Sequence, residues 1–115
     1  MRSERLYLAD IVEAAEAVLR FVSGLSREAF LTDDKAQSAT LYKLIIIGEA
    51  AGNISPELRD RHPEVPWRAV RGFRDVAVHA YHTVDWSIVW STVIEELPPL
   101  LAHIRAILKS DYGAA

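Results

Sequence analysis

The sequence predicts an all-α fold, an antiparallel bundle of four to five helices. Apolar residues recur at helical spacing over residues 7–22 and again over residues 86–108, and residues 44–47 are apolar without interruption. No segment shows the alternation of polar and apolar residues that marks a strand. With 115 residues, 50% of them hydrophobic, the chain fits one domain spanning residues 1–115 around one core.

The first helix is predicted to begin near the N-terminus and to end before Gly24. Ser3 is suited to cap it, because a serine side chain can accept a hydrogen bond from the exposed amides of a first helical turn. Its acidic and basic residues lie away from the apolar stripe, as expected for a helix with one face in a core. A short turn is expected over residues 27–31.

A second long helix is predicted from a cap at Thr32 or Asp33 to about Asn53. Its centre, residues 44–47, has no polar face, which is typical of a helix surrounded by others. We therefore place this helix in the middle of the bundle. Glu49 follows the apolar run and is interpreted as a buried acid with a partner in preference to a member of a functional site.

The region after this helix is expected to be mostly irregular. Residues 54–66 are rich in proline and charge, which predicts a loop with at most one helical turn. Pro66 suits the first turn of a third helix that runs to about Tyr81. On a regular helix Ala69 and Phe73 would share the face that meets the core.

The last helix is predicted to start at a cap formed by Asp85 and to carry the strong apolar pattern of residues 86–108. Pro98 and Pro99 fall inside this pattern and predict a kink or a break, since each lacks a backbone donor. The tryptophans are interpreted as packing residues and not as platforms for stacked bases. They are Trp67, Trp86 and Trp90.

Composition narrows the possible functions. The net charge of −3 argues against a protein that coats nucleic acid, but residues 59–82 hold five arginines against three acids, a local excess of +2. A compact anion site is therefore compatible with the charge pattern. No apolar run is long enough to cross a bilayer and no signal peptide is evident, so we expect a cytoplasmic protein with no membrane partner. The absence of cysteine excludes disulfides and thiol catalysis.

The stretch RDVAVHAY, residues 74–81, carries the residues best suited to chemistry. Arg74 can hold a phosphate through its planar fork of donors, and His79 can give or take a proton near neutral pH. On a regular helix their side chains point roughly 140° apart. Two copies related by a twofold axis could bring both pairs into one cleft, because such an interface repeats the same patch from each side.

The same face of the predicted helix allows other interpretations. Arg68 and Arg71 lie on a stripe with Asp75, and both are candidate contacts to phosphate or RNA. Arg71 with Asp75 also matches an ordinary surface ion pair, and a histidine near a helix C-terminus often interacts only with the dipole or solvent. Asp75, with two histidines of the stripe, fits a metal-dependent hydrolase as well. Those histidines are His79 and His82.

Residues 45–90 resemble the HepT-like branch of the HEPN superfamily. The resemblance rests on IGEAA in the second helix, P-x-x-P-W before the third, an arginine followed after four residues by H-x-Y, and V-D-x-x-x-V-W at the start of the last. The helical layout of the flanking segments is compatible, so the resemblance extends over the chain. It implies a single homodimeric HEPN domain.

The resemblance further implies the toxin half of a toxin–antitoxin pair that acts as a metal-independent RNA endonuclease without a cofactor. Arg74 and His79 occupy the catalytic positions, and Asp75 stands as a supporting residue where relatives carry a polar residue, often asparagine. The implied reaction is attack of the ribose 2′-hydroxyl on the adjacent phosphorus, which leaves a cyclic phosphate and a free 5′-hydroxyl.

Tyr81 matches the tyrosine that a nucleotidyltransferase antitoxin adenylylates to silence such toxins. An attached adenylate would bring a phosphate to the place where the substrate phosphate should meet Arg74. The main alternative is a non-catalytic helical module that binds a nucleotide or the nucleotidyltransferase itself.

Overall fold

A computed structural model of the protein describes residues 2–75 and 83–113. All regular structure in these two ranges is helical, which confirms the predicted all-α class. The bundle contains α1 Glu4–Val22, α2 Arg27–Leu31, α3 Asp34–Gly52, α4 Pro56–Arg61, α5 Trp67–Arg71, α6 Trp86–Ser91, a π-helical segment Thr92–Glu96 and α7 Leu97–Tyr112. Among the residues described, no helix is long and apolar enough to cross a bilayer.

The N-terminal helix is built as its sequence predicts. The Ser3 hydroxyl accepts a hydrogen bond from the amide of Leu6 at 3.4 Å, and Gly24 reverses the chain with a φ of +81°. The expected turn over residues 27–31 is instead the short helix α2. Ser26 caps α2 by accepting from the amide of Ala29 at 3.1 Å, so the same local capping chemistry was present in the sequence a second time.

Helix α3 begins where Asp33 accepts a hydrogen bond from the amide of Ala36 at 2.9 Å. It packs against α1, α2 and α5, which confirms its position between other helices. One of its faces remains open, however. Tyr42 is 62% exposed and Ile45 is only partly buried, so the prediction of a helix covered on every side is wrong for this stripe.

The segment after α3 is more helical than expected. Helix α4 has six residues, more than one turn, with Pro56 at its first position. Pro66 directly precedes α5 and its carbonyl accepts a hydrogen bond from the amide of Val70 at 3.0 Å, and the chain is helical again at residues 73–75 after an interruption at Gly72. The rest of the predicted third helix, residues 76–82, lies outside the described residues.

The core face of α5 differs from the prediction. Ala69 is exposed, whereas Trp67, Val70 and Phe73 are buried. On a regular helix Ala69 lies about 100° from Val70 and about 160° from Trp67, so a helix that turns both of these larger side chains inward leaves Ala69 outside. The prediction that Ala69 lies on the core face is therefore wrong.

The last helical region is interrupted as the prolines predict. Asp85 caps α6 by accepting from the amide of Ser87 at 3.0 Å, and the π-helical segment separates α6 from α7. Pro98 and Pro99 lie in the first turn of α7, where their missing amide donors disturb the preceding turn.

Two tryptophans of α6 pack on Phe30 of α2, at ring-centroid distances of 6.3 and 5.3 Å, which confirms their packing role. They are Trp86 and Trp90.

Polar contacts close the end of the bundle where α4 meets the C-terminal turn of α7. The Asp111 carboxylate lies 3.0 Å from Nε2 of His62 and accepts a hydrogen bond from Nη2 of Arg61 at 3.1 Å. These contacts, chiefly the one from His62, lower the pKa of Asp111 to about 2. Trp67 Nε1 donates to the carbonyl of His62 at 2.9 Å and fixes the start of α5 to the same point. We call Arg61, His62 and Asp111 the terminal clamp.

Candidate active site

A polar cleft of about 700 Å³ opens between the C-terminal half of α3 and the segment from α5 to residue 75. We call it the arginine cleft. The side chains that give it its charge come from both walls: Glu49, Arg68, Arg71, Arg74 and Asp75. The structure therefore brings together four residues that the sequence analysis singled out and adds the acid from α3.

Arg74 lies at the meeting point of the two walls. Its Nη1 atom is 3.4 Å from Oε1 of Glu49, and its Nε atom is 3.9 Å from Oδ1 of Asp75. Both distances exceed those of good charge-assisted hydrogen bonds, so the carboxylates attract the guanidinium without fully occupying its donors. The Arg74 side chain is 49% exposed. An exposed pair of this kind contributes at most about 1 kcal/mol, so a phosphate that binds in bidentate fashion can replace it.

The two other arginines of the cleft are more available to a ligand than Arg74. Arg68 and Arg71 are exposed and make no ion pair with any carboxylate in the described ranges. The ordinary surface pair expected between Arg71 and Asp75 is not formed, because Asp75 lies beside Arg74 instead. Three arginines thus face two carboxylates, which leaves a positive excess suited to an anion.

Glu49 has a partner, as the sequence predicts, but it is not buried. Its carboxylate pairs with Arg74 inside the cleft and its side chain is 55% exposed, so the predicted partner is confirmed and the predicted burial is wrong. The reason is that residues 71–74 pack against the neighbouring Gly48 and leave the next position of α3 open. The feature of the sequence that indicates this exposure is the dipeptide Gly48–Glu49, in which a glycine stands beside a charged residue within a long helix.

Three residues of the hypothesis lie outside the described residues: His79, Tyr81 and His82. The distance from Arg74 to His79, the shared twofold site and the modification of Tyr81 therefore remain predictions. The metal-dependent alternative needs His79 and His82 and remains equally untested. Within residues 2–75 and 83–113 no group of three or more histidine or acidic side chains is arranged to hold a metal ion.

Comparison with known proteins finds relatives whose names describe them as ribonucleases. The model of a family described as ribonuclease HepT-like matches residues 11–107. A protein of Thermococcus cleftensis named probable ribonuclease HepT is 42% identical over 108 residues, which are 94% of this chain and 98% of that protein. A protein of Caldanaerobacter subterraneus subsp. tengcongensis, whose name proposes an RNase, is 36% identical over 111 residues, 96% of this chain and 99% of that protein. No solved structure matches the chain significantly.

Proposed function

The chain belongs to the HepT-like ribonuclease family, and from this membership and the arginine cleft we propose that it is an RNA endonuclease, the toxin component of a toxin–antitoxin pair. The observation that carries the proposal is the grouping of Arg68, Arg71 and Arg74 in one cleft, where the described residues supply two carboxylates, those of Glu49 and Asp75. A cleft with this excess of guanidinium groups suits the phosphates of an RNA strand.

In the proposed reaction the ribose 2′-hydroxyl attacks the adjacent phosphorus. A bond forms between the 2′-oxygen and phosphorus, and the bond from phosphorus to the 5′-oxygen breaks, which gives a cyclic phosphate and a 5′-hydroxyl. His79 transfers the proton at the attacking or leaving oxygen, an effect of about 10²- to 10⁴-fold. Arg74 stabilises the charge that grows on the phosphoryl oxygens, and no metal or cofactor takes part.

We further propose that the complete site forms in a homodimer. On a regular helix Arg74 and His79 point roughly 140° apart, so one copy alone directs them away from each other. The open stripe of α3, with Tyr42 and Ile45, leads along the helix to Glu49 and thus to the cleft. An apolar stripe beside an anion site is compatible with a second copy packed across it.

The proposed control is adenylylation of Tyr81 by a nucleotidyltransferase antitoxin in the cytoplasm. The added phosphate would pair with Arg74 and occupy the place of the substrate phosphate. Incubation with the cognate nucleotidyltransferase and ATP should increase the mass of the protein by one adenylate and suppress cleavage. A Tyr81→Phe variant that is still silenced would show that binding alone is sufficient.

One cleavage assay tests the catalytic proposal. The wild type should cleave RNA in the presence of EDTA, and the upstream product of each cut should end in a 2′,3′-cyclic phosphate while the downstream product begins with a 5′-hydroxyl. His79→Ala should remove cleavage while the circular dichroism spectrum stays unchanged. Loss of wild-type activity with EDTA would support the metal-dependent alternative that uses Asp75, His79 and His82. Nucleotide binding without any cleavage would support the non-catalytic module.

A further inference from the structure

Gly48 is an unexpected residue for the interior of a long helix. Glycine is unfavourable there, because it loses the most backbone freedom on folding. Among the described glycines only Gly24 and Gly113 have positive φ angles, so Gly48 is not required by an unusual backbone conformation. The requirement for glycine at this position must come from its surroundings.

The surroundings of Gly48 are the backbone and the first side-chain atom of the residues that carry the cleft arginines. A Cβ atom added at Gly48 would lie 2.7 Å from the amide nitrogen of Arg74, 3.1 Å from the carbonyl oxygen of Arg71 and 3.2 Å from the Cβ atom of Arg74. Two of these atoms belong to the main chain and cannot rotate away. Relieving the first contact alone needs a shift of about 0.7 Å, from 2.7 Å to the 3.4 Å at which ordinary contact begins.

Gly52, one turn further along α3, provides a contrast. A Cβ atom there would meet only Nε of Arg71, at 3.9 Å, which is an ordinary contact with a flexible side chain. The same glycine-to-alanine change therefore tests close approach at one position and little more than helix propensity at the other.

We propose that Gly48 is a positioning residue for Arg74. Its missing side chain lets the turn of residues 71–74 seat directly on α3, and this seat sets how far the Arg74 guanidinium reaches toward Glu49 and into the cleft. A side chain at position 48 pushes the Arg74 backbone outward, and the displacement is carried to the guanidinium at the end of a long side chain. The inference rests on the proposed role of Arg74 in RNA cleavage.

The test compares Gly48→Ala with Gly52→Ala, using kcat, KM and the thermal midpoint of each. A misplacement on the order of 1 Å can cost about 10²-fold in rate. The kcat of Gly48→Ala should therefore fall about 10- to 100-fold below that of Gly52→Ala, with a smaller change in KM. Ile104→Val, in the buried face of α7, controls for stability: it lowers the thermal midpoint and should leave kcat unchanged.

A second readout does not depend on activity. The Nε–H resonance of Arg74 in ¹⁵N NMR, assigned with Arg74→Lys, should move in Gly48→Ala and stay in place in Gly52→Ala. If the wild type cleaves no RNA, the proposed function fails, and this resonance still decides whether Gly48 positions Arg74.

Three results would overturn the inference. They are an unmoved Arg74 resonance in Gly48→Ala, equal kcat values for the two glycine variants, and a loss of kcat that Ile104→Val reproduces at the same thermal midpoint. If Gly48→Ala does not fold, the wild type provides the test. A strong nuclear Overhauser effect between the Gly48 α-protons and the Arg74 amide proton supports the close approach, and its absence overturns it.

Discussion

The terminal clamp and the arginine cleft both contain arginine and carboxylate side chains, but they are organised in opposite ways. In the clamp, the side chain of Asp111 is 18% exposed and its carboxylate is contacted by both His62 and Arg61 at 3.0 to 3.1 Å. In the cleft, the contacts of Arg74 are 3.4 and 3.9 Å long, and the carboxylates that make them, those of Glu49 and Asp75, are 55% and 61% exposed. Short, shielded contacts stabilise a fold, whereas long, exposed ones leave charge available to a ligand.

This contrast shows that charged pairs in one small bundle can have different roles. The clamp joins α4 to the end of α7, two segments that are distant in sequence, and its carboxylate is committed to them. The cleft keeps two arginines, Arg68 and Arg71, without a carboxylate partner in the described part of the chain. The following changes test whether the clamp controls stability and the cleft controls binding and chemistry.

The largest effect is expected from Arg74→Ala. Removing a group that stabilises charge in a transition state typically costs about 10²- to 10³-fold in kcat, and the free energy of unfolding should change little because the pair with Glu49 is exposed. The measurement is the rate of RNA cleavage together with urea unfolding. Arg105→Ala is the matched control, since Arg105 is 54% exposed and pairs with Glu16 on another surface. Equal activity in the two variants would contradict the role of the cleft.

Arg71→Ala should weaken RNA binding and reduce its dependence on salt. A lost phosphate contact lowers the slope of log affinity against log salt concentration by about one unit, irrespective of base sequence. The measurement is the affinity for a cleavage-resistant 2′-O-methyl oligonucleotide at several salt concentrations. Lys35→Ala, an exposed site at the start of α3, should leave the slope unchanged. A comparable change in both variants would mean that binding depends on overall charge alone.

Asp111→Asn should lower the free energy of unfolding by about 1–2 kcal/mol at pH 7 and leave kcat unchanged. The folded-state pKa of Asp111 is about 2, below its ordinary value of 3.8. The stabilisation is therefore complete above the unfolded pKa and is lost as the pH falls from about 4 through 2.

Urea unfolding of wild type and Asp111→Asn from pH 7 to pH 2 measures this difference, which should shrink at the acid end. Asp10→Asn, which removes an exposed partner of Arg2, should have a smaller effect at pH 7. A difference between wild type and Asp111→Asn that stays constant down to pH 2 would contradict the depressed pKa.

The smallest effect is expected from Glu49→Gln. The Glu49 carboxylate competes with phosphate for Arg74, so removing its charge should tighten binding of the 2′-O-methyl oligonucleotide. An exposed pair contributes at most about 1 kcal/mol, which limits the gain to about fivefold. Glu16→Gln is the matched control, because Glu16 pairs with Arg105 away from the cleft. Weaker binding in Glu49→Gln would show that the carboxylate orients Arg74 more than it competes.

The features that the sequence predicts correctly are those whose determining interactions are local. The caps at Ser3, Asp33 and Asp85 depend on one side chain and an amide two or three residues away. The interruption before Pro98 depends on the missing donors of adjacent prolines. The three arginines also lie together in one cleft, as their spacing along one segment suggests, while their role in binding RNA stays a prediction.

The features that the sequence predicts wrongly are those that depend on contacts between distant segments. Ala69 is predicted on the core face, but the larger side chains of Trp67 and Val70 turn inward and leave Ala69 exposed. Glu49 was assigned to the interior, although the residues that pack beside it cover Gly48 instead. Neither the direction of a short helix nor the side on which a neighbour packs is encoded by periodicity alone.

The π-helical segment Thr92–Glu96 also determines how two halves of the last helical region are oriented. Helix α6 turns its tryptophans toward α2, whereas α7 packs against α1. A π turn holds more residues than an α turn, and each residue on a helix adds about 100° of rotation. Deleting a single residue there would rotate α7 relative to α6 by about that angle, so chain length in this segment is constrained as tightly as residue identity.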